Sequence, residues 1–170
     1  MATNLGLYDN IVPLLAPADQ TTTTPVQGGY LDISSANRAS ILIQFGTVTS
    51  STATDTVTVT LEASTASTSN AGEEAIPFTY RVSGSIAGGN TWGAVTAATS
   101  DGFSLGASTV FDNMAVIIDI DPAAVAQKAD ARWVRAVLTE SAAYSAMNVA
   151  MIGFIEPRYR QTTMIVGSVT

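Results

Sequence analysis

The segment Thr56-Val57-Thr58-Val59-Thr60-Leu61-Glu62-Ala63-Ser64 alternates apolar with hydroxylated or charged side chains without a break. That is the two-residue period of a strand with one buried and one wet face. Val57, Val59, Leu61 and Ala63 fall on one side and Thr56, Thr58, Thr60 and Glu62 on the other. A half-buried strand needs partners of its own kind, and residues 30–33, 41–45, 76–82, 93–97, 114–120, 132–138 and 149–156 supply them. With 56–63 they make eight short strands, joined at 50–54, 64–72, 84–90 and 100–113 by segments rich in turn formers. The expected fold is all-β: an antiparallel two-sheet β-sandwich, jelly-roll-like, with an extended N-terminal arm and a short C-terminal tail.

The division along the chain follows from proline. Residues 1–29 carry Pro13, Pro17 and Pro25 among Ile11, Val12, Leu14 and Leu15, which bars a helix or a central strand. This arm is expected to be extended and to cover its apolar side chains either along an edge of its own body or on a neighbouring subunit. The body spans 30–160 and the tail 161–170. One short helix is expected over 122–128, with Asp121 as cap and Pro122 at the first helical position.

Strand periodicity assigns Ile41, Ile43, Phe45, Val57, Val59, Leu61, Ile76, Phe78, Tyr80, Val82, Val116, Ile118, Ile120, Val134, Ala136, Leu138, Ile152 and Phe154 to the core. Two strands are apolar on both faces. Ile117 stands opposite Val116 and Ile118, and Met147, Val149, Met151 and Ile155 stand opposite Ile152 and Phe154. A doubly apolar strand in a chain of 170 residues points to self-association, unless the arm covers it. The candidate interface residues are Leu5, Leu7, Tyr8, Ile11, Val12, Leu14 and Leu15 of the arm. Ile117, Trp133, Met151, Arg158 and Tyr159 of the body complete the set.

Composition narrows the function classes. The chain has no histidine and no cysteine, which removes His-based triads, thiolate nucleophiles, disulfides and sulfur metal sites together. The sole lysine, Lys128, is read as solvated rather than as the base of a Ser-Lys dyad. Asp119 and Asp121 share a strand face, but no loop of regularly spaced oxygen ligands completes a calcium site, and Glu73-Glu74 reads as a solubilising loop tip. No catalytic residue, cofactor or metal is expected. The net charge of -7, with basic residues scattered, argues against nucleic acid. No apolar run reaches the ~20 residues of a membrane helix, and the N-terminus lacks the pattern of a secretory signal. Trp92, Trp133, Tyr80 and Tyr144 leave room for an alternative, a carbohydrate-binding module that stacks sugars on exposed rings. Trp133, between Arg132 and Arg135, could instead stack on a guanidinium at a subunit contact.

Six segments taken in order, TVTVTLEA (56–63), IPFTYRVS (76–83), TWGAVTAATS (91–100), IDIDP (118–122), WVRAVLT (133–139) and FIEPRY (154–159), resemble capsid decoration or cement proteins of tailed bacteriophages. The resemblance covers most of the body and neither end. It implies a β-sandwich, often a homotrimer, made in the host cytoplasm and bound to the outer capsid surface, where it ties together subunits of the major capsid protein.

Overall fold

The computed structural model describes residues 10–50, 52, 54–68, 72–84, 91–107, 111–128 and 130–158. Among the described residues twelve strands and one helix follow in order: β1 (Asn10–Asp19), β2 (Val26–Gln27), β3 (Leu31–Asp32), β4 (Ala36–Ser50), β5 (Thr56–Ser64), β6 (Glu74–Ile76), β7 (Phe78–Val82), β8 (Thr96–Ala98), β9 (Phe103–Ala107), β10 (Ala115–Ile120), α1 (Pro122–Ala126), β11 (Trp133–Glu140) and β12 (Tyr144–Pro157). They form two antiparallel sheets. Sheet A runs β1-β12-β4-β10-β7-β8; in sheet B, β2 and β3 both flank β11, which pairs with β5, and β6 and β9 both lie on the far side of β5. The chain crosses between the sheets so that the last strand lies between the first and β4, and β11 lies between β2/β3 and β5. That is the double Greek-key wrapping of a jelly roll, with β7 and β8 extending one sheet.

Strand alternation behaves as periodicity requires in the centre of the molecule. Val57, Val59, Leu61 and Ala63 of β5, Ile41, Ile43 and Phe45 of β4, Val116, Ile118 and Ile120 of β10, and Val134, Ala136 and Leu138 of β11 are all buried between the sheets. Tyr80 and Val82, read as core, are only partly buried against it. Pro77 divides the run 76–82 in two, because β6 belongs to sheet B and β7 to sheet A. A residue without a backbone donor suits the point where the chain leaves one ladder for another. The segment 100–113, read as a connection, contains β9.

The sandwich also begins earlier than residue 30. Of the proline-punctuated segment 1–29, residues 10–19 form β1, which pairs antiparallel with β12 from Asn10↔Ile155 to Asp19↔Asn148. β1 is an edge strand, where Pro13 and Pro17 leave no interior ladder bond unmade. Its inward side chains, Val12 and Leu14, are 3% and 2% exposed. The described part of this segment is therefore built into the body along its edge.

In β12 the faces are the reverse of the sequence reading. Met147, Val149, Met151 and Ile155 point into the core, whereas Ile152 and Phe154 point out and stay partly exposed. Both sets are apolar, so the two-residue period cannot choose between them. Space does. Gly153 shares the inward face, and a Cβ there would lie 2.7 Å from Leu31 Cδ1 and 3.2 Å from Leu14 Cδ1. These two leucines fill the notch, so only the observed orientation packs β1 and β3 onto β12.

The helix forms as its cap predicts. Asp121 accepts the backbone N–H of Ala123 at 2.9 Å, Pro122 opens the first turn and Val125 seals the end of the core.

Candidate interaction surface

Outward side chains of sheet A come into line across its strands. Register pairs Pro13 with Ile152, Ile152 with Leu42, Leu42 with Ile117, and Ile117 with Arg81. Beside this row runs a second, Ile11, Phe154, Ser40 and Asp119. Four strands thus present Pro13, Ile152, Leu42, Ile117, Ile11 and Phe154 on one wet face, bounded by the Arg81–Asp119 pair at 3.6 Å. Ile11 is 36% exposed, and Leu42, Ile117, Ile152 and Phe154 are half-buried. An apolar stripe with a charged margin makes this face the candidate contact surface.

The candidate interface residues divide accordingly. Ile11 and Ile117 lie on this surface. Val12, Leu14 and Met151 do not, because alternation turns them into the core, with Met151 fully buried. Leu15 packs partly against the core. Trp133 is half-buried with the Arg132 guanidinium 5.3 Å above its ring, so its cation partner comes from its own chain. Arg158 donates from Nε to the Ala36 carbonyl at 2.9 Å, which ties the end of β12 to the start of β4. Leu5, Leu7, Tyr8 and Tyr159 lie outside the described residues. Sequence reasoning missed Leu42, Pro13, Ile152 and Phe154 as surface residues. Gly153 was the signal, since a glycine within an apolar run marks a close approach and hence the inward side.

Sheet B is closed on its outer side by a charge cluster. Arg135, 3% exposed, donates from Nε to Glu62 at 2.8 Å, pairs with Glu73 at 2.9 Å and donates to Gln27 at 3.0 Å. Its guanidinium lies 4.9 Å from the Tyr30 ring centroid, and the Tyr30 hydroxyl donates to Glu73. Burial, then the bond to the Glu73 carboxylate, pushes the Tyr30 hydroxyl up to about 12. Glu73 is therefore an anchor that fastens its loop across sheet B, not a solubilising tip. Glu74, exposed, does keep to the surface and pairs there with Lys128 at 2.9 Å.

A cleft of about 840 Å³ opens where α1 meets the β4, β7, β8 and β10 ends, and Arg38, Arg81, Asp119, Asp121 and Lys128 line it. Its charges are mostly committed: Asp119 to Arg81, Asp121 to the helix cap and Lys128 to Glu74. Among the described residues no three Asp or Glu side chains converge on a point where a metal could sit. No described helix is long and apolar enough to cross a membrane.

At the other end of the sandwich, the inward-facing Glu140 is 7% exposed and neither of its carboxylate oxygens has a hydrogen-bond partner. Desolvation pushes its carboxyl up to about 7. The Tyr144 hydroxyl nearby is buried, also without a partner. It is pushed up to about 12 by burial and by the charges of Asp55 and Glu140.

No protein-family model and no curated protein matches the sequence. Among solved structures the chain is similar to the SPBc2 prophage-derived protein YomS, with a TM-score of 0.41 and 12% identity over 91% of this chain and 98% of that one. A likeness at that level carries no inference about function.

Proposed function

We propose that this chain is a non-enzymatic structural protein of a phage virion that sits on the outer surface of an icosahedral capsid and bridges major capsid subunits as a homotrimer. The observation that carries this reading is the apolar row Pro13-Ile152-Leu42-Ile117 on the outward face of sheet A, partly exposed along its length and flanked by Ile11 at 36%. A protein that grips several neighbouring subunits gains effective concentration from each further contact, so a flat face of modest area suffices. The resemblance of six ordered body segments to decoration proteins points the same way. Co-sedimentation with capsids assembled from the neighbouring major head protein tests the proposal. The unaltered chain is expected to pellet with them, and Ile117→Asp is expected to stay in the supernatant while keeping its β circular dichroism. An unaltered chain that never pellets overturns the reading.

A second reading has one observation in its favour. Trp92 is 43% exposed in the stretch before β8, as a sugar-stacking platform requires. A glycan array decides between the two, since binding that Trp92→Ala abolishes belongs to a carbohydrate-binding module.

A further inference from the structure

The cleft of about 840 Å³ beside α1 lies where the chain crosses from β6 in sheet B to β7 in sheet A, with Pro77 between them. Leu61 and Ile76 reach it from sheet B, Phe78 and Ile120 from sheet A, and Val125 from the helix. All five belong to the buried core, so the floor of the cleft is the core itself. None of them carries a polar side-chain atom. Sites for small molecules have volumes of about 300–1,000 Å³, and they combine an apolar lining with a few polar groups that fix orientation. Here the polar groups are charged, and they stand exposed or half-buried at the rim.

Those rim charges differ in how far they are already satisfied. Lys128 pairs with Glu74 at 2.9 Å, and Asp121 uses a carboxylate oxygen for the helix cap. Arg81 approaches Asp119 only to 3.6 Å, an ion pair too long for a hydrogen bond. Arg38 is exposed and, among the described residues, has neither a hydrogen bond nor an ion pair. Glu156 stands opposite it on β12, but that carboxylate accepts the Asn37 amide at 3.1 Å. A planar fork of N–H donors is therefore presented beside an apolar floor, without an acceptor from the described chain.

These two features define what fits. The body of an occupant must be hydrocarbon, because the floor offers no partner to a buried amide or hydroxyl, and an unpaired polar group there is costly. Its head must be anionic to engage Arg38, and a carboxylate matches the guanidinium fork with two parallel hydrogen bonds. A phosphate dianion would bring a second negative charge beside Asp119 and Asp121, which share the rim. We propose that the cleft beside α1 binds a medium-chain aliphatic monocarboxylate, its carboxylate on Arg38 and its hydrocarbon chain on Leu61, Ile76, Phe78, Ile120 and Val125. The inference goes beyond the capsid reading and stands apart from it. The Arg81–Asp119 pair that bounds the apolar row of sheet A also lines the cleft, but none of the six apolar residues of that face does.

Octanoate is the probe, followed through the amide chemical shifts of the isotope-labelled full chain. It is expected to bind saturably and to move the amides of Arg38, Ala124 and Val125. Hexanoate is expected to bind roughly tenfold more weakly for its two lost methylenes. Octanol keeps the chain and lacks the charge, and it is expected to bind about tenfold more weakly than octanoate. Arg38→Gln removes the fork at an exposed position and is expected to weaken octanoate about tenfold with unchanged circular dichroism. Ala124→Trp, also at an exposed position, fills the mouth from the helix and is expected to abolish binding. Absence of a saturable shift in the millimolar range, equal affinity for octanol and octanoate, or undiminished binding by either variant overturns the proposal.

Discussion

Glu140→Gln gives the most direct test of how the sandwich tolerates charge. Glu140 follows Val134, Ala136 and Leu138 on the inward face of β11, and it is the member of that series whose ionised form has no stabilising contact. Its carboxyl moves from 4.5 to about 7 on folding, through desolvation. The folded state therefore holds a proton that the unfolded state has already released between those values. Stability is fully present below about 4.5, falls by about 1.4 kcal/mol per pH unit as pH rises toward 7, and levels off above it. The total loss is about 3 kcal/mol, from the interval between 4.5 and about 7 at about 1.4 kcal/mol for each pKa unit. Glutamine has the same shape and no charge to desolvate, so that part of the profile disappears. Urea titrations at pH 4.5, 6, 7 and 8 are expected to find the variant within about 1 kcal/mol of the natural protein at the lowest pH and more stable by about 3 kcal/mol at the highest. A difference that stays constant across the series refutes the argument, because it would mean that Glu140 ionises in the fold as easily as in the open chain.

Other substitutions probe the remaining supports. Arg135→Met leaves Glu62 and Glu73 without their buried cation and is expected to cost about 3–5 kcal/mol by denaturant titration, more than an exposed pair such as Lys128–Glu74, whose removal is worth under about 1 kcal/mol. Leu61→Ala is expected to lose about 2–5 kcal/mol and Thr58→Ala, on the opposite face of β5, less than about 1; equal losses would invert the strand. Gly153→Ala drives a methyl into Leu31 and Leu14 and is expected to cost about 1–3 kcal/mol in thermal or chemical unfolding, whereas outward Ala150→Gly is expected to cost less.

What the sequence revealed depended on whether a strand had one apolar face or two. β5 alternates Val, Val, Leu and Ala with Thr and Glu, and its inward face could be read directly. β12 offers Met, Val and Ile on one side and Ile and Phe on the other, so periodicity is silent and a single glycine decides. β1 was legible in part, since one of the two expectations for the arm laid it along an edge of its own body. Its prolines excluded a central strand correctly, but an edge strand needs only half of its ladder, and Val12 and Leu14 had a core to enter. The anchor role of Glu73 was illegible because its partners, Tyr30 and Arg135, lie 43 and 62 positions away in the chain and meet only after folding. Of the candidate surface, Ile117 was visible as an apolar residue out of phase with its neighbours, and Ile11 only as one of the arm's apolar side chains in need of cover. Leu42 and Pro13 became part of it only when register placed them in one row.

The position of β12 between β1 and β4 also sets the order of events during synthesis. Ala36 pairs with Pro157 and Asn10 with Ile155, so the ladder that holds β1 in place is made by nearly the last described residues of the chain. Until they leave the ribosome, the long strand β4 has an open flank and β1 has no strand partner, only the bond from the Gly29 N–H to the Leu14 carbonyl. Pairings so distant in sequence are slow to form, because a large loop must close before any bond is made. At translation rates of about 5–20 residues per second, the nascent chain waits several seconds with an unpaired apolar strand on each side of the gap. A chain cut short before β12 would keep that gap permanently, and its exposed β4 flank would pair with whatever strand reached it first.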